Sequence, residues 1–130
     1  MRSIFISLIL FAGLSFLIAC GDAAAPSSPP AQSGVNISLT TNPDPPKSGD
    51  VELVVTVSDT SGQPIPDADV FIFADHSEMQ GMSMDGRTTA QGGGQYAITA
   101  GFEHGGKWKV TVQVKKAPLD TAQEFDLELQ

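Results

Sequence analysis

The chain has 130 residues, 15 acidic against 7 basic side chains, a net charge of −8, and a single cysteine. An acidic balance argues against nucleic-acid binding, which needs basic stripes on one face. One cysteine allows no internal disulfide.

The first twenty residues, "MRSIFISLILFAGLSFLIAC", carry one charge at Arg2 and an apolar run from Ile4 to Phe16 before small residues and Cys20. That order is the signature of a secretory signal, not of a spanning helix. Its end, Leu17-Ile18-Ala19-Cys20, resembles the lipobox of bacterial lipoproteins. The resemblance implies a signal peptide over 1–19 and a lipidated Cys20 as mature N-terminus. Several acyl chains, palmitate among them, hold a protein stably at a membrane where one chain would not. The expected location is therefore extracytoplasmic, on the periplasmic or cell-surface side of a bacterial membrane. Loss of Arg2 with the signal leaves 6 basic and 15 acidic side chains, a balance of −9.

Residues 20–34 are rich in Ala, Pro and Ser. They offer too little apolar surface to fold and read as a disordered, extended tether. The remainder, 35–130, is one domain of ordinary size.

Within that domain apolar and polar residues alternate with the period of half-buried strands. The spacing predicts strands over 35–41, 51–58, 69–75, 87–91, 95–102, 107–115 and 123–129, the fourth resting on the weakest pattern. "KWKVTVQVK" shows the alternation most plainly, with Trp108, Val110, Val112 and Val114 on one face. "DVFIFAD" is apolar on both faces, as expected of a central strand covered on two sides. Phe71, Phe73, Tyr96 and Trp108 are therefore expected in the core.

Gly-, Pro- and Asp-rich turns separate these runs. About seven short strands and no helical period imply an all-β, immunoglobulin-like antiparallel β-sandwich. In an up-and-down succession, the segments 42–50, 75–86 and 103–106 share one end.

Three of the four methionines, Met79, Met82 and Met84, fall in "DHSEMQGMSM" at 75–84. The two histidines, His76 and His104, lie in the same set of segments. Thioethers are soft, neutral ligands that favour Cu(I) over zinc or calcium. Outside the cytoplasm, where thiols tend to be oxidised, methionine and imidazole suit such a site. The candidate ligands are His76, Met79, Met82, Met84 and His104. Along an extended chain Met79 would face away from Met82 and Met84, so convergence requires the segment to coil. Gly81 permits that, and a helical turn would align 76, 79 and 82. Two other readings stay open: methionines that plug the end of the sandwich, and an exposed thioether patch that docks an apolar peptide. No nucleophile elbow, phosphate loop or HExxH is present, so no enzymatic role is expected. Asp59, Asp67 and Asp69 lack the clustered oxygens of a calcium loop and suit turns.

"DPPKSGDVELVVTVSDTSGQPIPDADVFIFADHSEMQGMSM" followed by "GQYAITAGFEHGGKWKVTVQV" resembles the YtkA-like (FixH-related) domain. The shared pattern is Pro46 and Gly49, Asp59, Gly62 and Pro64, Ala68 and Val70, the methionine segment, Gly94 and Tyr96, and Gly106 and Trp108. The resemblance implies copper handling, including supply to respiratory oxidases, with a copper-donating or copper-accepting protein as partner. The expectation is a lipid-anchored Cu(I) chaperone or buffer. The alternative is a non-enzymatic module for structure or protein interaction.

Overall fold

The computed structural model describes residues 34–130; the expected signal peptide, Cys20 and all but the last residue of the tether lie outside the described residues. Eight strands follow in order: β1 (Val35–Asn42), β2 (Gly49–Asp59), β3 (Asp69–His76), β4 (Ser83–Arg87), β5 (Thr89–Gly92), β6 (Gln95–Phe102), β7 (Gly106–Lys116) and β8 (Leu119–Leu129). They form two antiparallel four-stranded sheets, ordered β1-β2-β6-β5 and β4-β3-β7-β8. The first matches the ABED sheet of immunoglobulin domains and the second their CFG sheet with one added strand. The all-β sandwich read from the alternation is present, with one strand more than expected.

The extra strand is β4. "MSMDG" reads as turn chemistry, yet its backbone pairs with β3 in register, Met84 opposite Ala74 and Asp85 opposite Phe73. β3, the strand just before it in the chain, satisfies the backbone here across a short hairpin, and local turn preference yields to that pairing. β8 also begins earlier than expected, because only Ala117 and Pro118 separate it from β7.

The inner faces carry Val51, Leu53, Val55 and Val57 of β2, Val70, Ile72 and Ala74 of β3, and Trp108, Val110, Val112 and Val114 of β7, all buried. Tyr96, Ala100 and Phe102 of β6 complete this core. With Val70, Ile72 and Ala74 turned inward, the two-residue period sends Phe71 and Phe73 outward. The expectation that both belong to the core is thus corrected. Among the described residues no layer covers the outer face of β3: Phe73 is 40% exposed, and Phe71 is half-buried beneath the Arg87 guanidinium, 4.8 Å from its ring centre.

Two devices close the end of the sandwich at the β2–β3 connection. The Tyr96 hydroxyl donates to the Ile65 carbonyl at 2.7 Å and accepts from the Ala68 amide at 2.9 Å. Asp59 accepts from the Ser61 hydroxyl (2.6 Å), the Gln63 amide (3.0 Å) and the Ser61 amide (2.8 Å), and so holds a turn. The opposite end gathers the β1–β2 loop, the β3–β4 turn and the β6–β7 loop, as the order of strands implied. There the Ser48 amide donates to Gln130 at 2.8 Å, the Gln130 amide to Pro46 at 3.0 Å, and the Ser77 amide to Lys107 at 2.8 Å.

Tyr96→Phe leaves the Ala68 amide and the Ile65 carbonyl without their partner. It is expected to cost about 1–3 kcal/mol in urea unfolding. The Ser61 hydroxyl first, then the Gln63 amide, hold the Asp59 carboxyl below its ordinary value of 3.8. A carboxyl lowered on folding stabilises above the unfolded value and loses that effect as pH falls through the folded one. Thermal melts of the protein and of Asp59→Ala should therefore differ at neutral pH and converge only in strong acid.

Candidate functional site

The methionine segment folds as a hairpin rather than the helical turn that would have aligned 76, 79 and 82. The His76 amide donates to the Met82 carbonyl at 2.9 Å, closing the hairpin where β3 ends. The Met82 amide reaches the Met79 carbonyl at 3.5 Å, and Gly81 has φ +80°. A positive φ at the third of four residues is what a type II turn requires, and glycine adopts it without a Cβ penalty. Met79 and Met82 thus stand at the two corners of one turn, their Cα atoms within about 7 Å. Met84 lies two residues beyond Met82 and shares its face.

The methionines open onto a cleft of about 560 Å³. Met79, Met82 and Met84 form one wall and Gly101 and Glu103 the other, with Trp108, 3% exposed, at the base. Met82 and Met84 are half-buried and rest against the core, while Met79 is 44% exposed. A change of sheet in mid-strand makes this space. β4 pairs with β3 up to Arg87, and from Thr89 onward the chain pairs with β6 as β5. That pairing ends at Ala97, so Ile98 to Phe102 have no strand on this side of β6 among the described residues. Where β4 passes over β6, a Cβ on Gly86 would crowd the tip of the Ile98 side chain, which would have to shift to admit it.

Five side chains were expected to converge, and the cleft brings together three. His76 is buried at 6% exposure and turned inward at the end of β3. Its Nδ1 accepts the Glu78 amide at 3.1 Å, and its Nε2 lies 3.0 Å from the Gly105 carbonyl. With Nδ1 an acceptor, the proton sits on Nε2 and is donated to Gly105. The ring meets Trp108 edge to face at 4.9 Å. His104 is exposed on the β6–β7 loop, where its carbonyl accepts the Trp108 indole N–H at 3.1 Å. Neither imidazole lines the cleft. Glu103 and Trp108 were not foreseen there; the signal for Glu103 was its place beside His104, in a loop expected at the same end as the methionines.

Among the described residues no group of three or more His, Cys, Asp or Glu side chains gathers to hold a metal ion. The lining residues with donor atoms in their side chains are three methionines, Gln80, Ser83 and Glu103, so thioethers are the most numerous donors there. Thioethers suit a soft monovalent cation and offer little to hard divalent ones.

Gly81→Ala forces a left-handed conformation on a residue with a Cβ. It is expected to destabilise the turn by about 1–2 kcal/mol. Gly81→Asn should cost less, because Asn tolerates that region. Amide exchange across 77–84 measures both.

A family model described as YtkA-like matches residues 31–113. No curated protein and no solved structure matches the chain. The matched segment is more than half of the chain and runs from before β1 through most of β7, so this protein belongs to the YtkA-like family.

Proposed function

We propose that this protein binds Cu(I) outside the cytoplasm and hands it on or buffers it, as a lipid-anchored, non-enzymatic carrier. One observation carries the reading: Met79, Met82 and Met84 line a single cleft. Thioethers select soft cations, and three of them can make a three-coordinate site. Glu103 on the facing wall supplies a negative charge that neutral ligands lack. His104, exposed on the adjoining loop, is the proposed supplementary donor. The cleft is open to solvent on its Met79 side, which suits exchange with a partner better than storage. The signal-like start and the Leu17–Cys20 motif support anchoring through Cys20. The family's association with copper handling makes a copper-donating or copper-accepting protein the expected partner.

A second reading, an interaction module that docks an apolar segment, is favoured by the exposure of Met79 and Phe73. Competition with a chromophoric Cu(I) chelator separates the two. The protein is expected to take Cu(I) from the chelator. Each single Met→Leu replacement should weaken binding about tenfold, or about 1.4 kcal/mol. The triple Met79→Leu, Met82→Leu, Met84→Leu variant should not compete, while folding normally because the swaps conserve volume. Equal competition by the triple variant would overturn the copper reading.

A further inference from the structure

We propose that His76 is a positioning residue for the thioether cleft and not one of its ligands. This rests on the copper reading for what the cleft holds, and on hydrogen-bond geometry alone for what His76 does. Both ring nitrogens are spent within the protein. Nδ1 receives the amide of Glu78, the residue that leads into the Met79–Met82 turn, at 3.1 Å. Nε2 gives its proton to Gly105, in the loop that also carries Glu103, at 3.0 Å. One imidazole therefore joins the two walls of the cleft and sets their separation.

The surroundings crowd the ring on the sides where its nitrogens lie. A Cβ on Gly106 would stand 3.1 Å from Nε2, so the backbone there already lies against the ring. Trp108 stands edge to face with the ring at 4.9 Å and also lines the cleft. A metal at Nδ1 would have to displace the Glu78 amide and leave that donor unpaired. Groups that hold ligands in place in this way are commonly worth about 10–100-fold in metal affinity.

Three replacements separate a brace from a ligand. His76→Asn keeps an acceptor where Nδ1 was, His76→Gln keeps a donor near the position of Nε2, and His76→Leu keeps neither. In the chelator competition His76→Leu should bind Cu(I) about 10–100-fold more weakly, with His76→Asn and His76→Gln each recovering part of the loss. If all three variants lose affinity equally, the brace is wrong and His76 is a ligand.

Nitrogen-15 and methyl NMR on the full chain provides a readout that a purely structural role does not move. Adding Cu(I) should shift the methyls of Met79, Met82 and Met84 and leave the protonation pattern of the His76 ring unchanged. A His76 nitrogen that shifts with the methyls overturns the proposal. If no methyl moves, the copper reading has failed, and the metal-free protein still judges the brace. Glu78 amide exchange should be up to about tenfold faster in His76→Leu, the loss of one hydrogen bond; an unchanged rate refutes the brace.

Discussion

The change of sheet at Thr88 is the constraint on which the site depends. Thr88 is buried, and both its amide and its hydroxyl donate to the Val70 carbonyl at 3.0 Å. That double bond to one acceptor pins the chain to the edge of β3 where it leaves one sheet for the other. Before it, β4 belongs with β3; after it, β5 belongs with β6. A strand that stayed in one sheet would have covered β6 along its length or left β3 open. By crossing, it leaves a gap at one end only, between the β3–β4 turn and the free side of Ile98 to Phe102. Every candidate ligand side chain in the cleft hangs on the chain that forms this crossing.

The methionines at that gap serve two ends at once. Met82 and Met84 extend the core wall, packed against buried residues, and also line the cleft. Unbranched and polarisable side chains can do both, where leucine could only pack and histidine would need partners for its nitrogens. Met79 is placed differently, at the exposed corner of the turn, where it can reach a partner or an incoming ion. The gradient from buried Trp108 through half-buried Met82 and Met84 to exposed Met79 gives the cleft an inner and an outer side.

Much of this was legible in the sequence. The period-two runs located seven of the eight strands, and their order placed the methionine segment beside the β6–β7 loop. That this segment is rich in thioethers was plain from residue types alone. Three features were not legible, each because it depends on which groups meet in the folded chain. β4 was hidden by turn-forming residues whose backbone is satisfied only by β3. Phe71 and Phe73 look like core until the inward set Val70, Ile72 and Ala74 assigns the other face. The hydrogen bonds of the His76 ring to Glu78 and Gly105, two and 29 residues away, have no signature in residue types.

The central claim is that three thioethers form one soft-cation site. X-ray absorption at the copper edge of the Cu(I)-loaded protein tests it most directly. The account predicts a first coordination shell dominated by sulfur, which only Met79, Met82 and Met84 can supply in the described domain. A shell of nitrogen and oxygen scatterers without sulfur would contradict it.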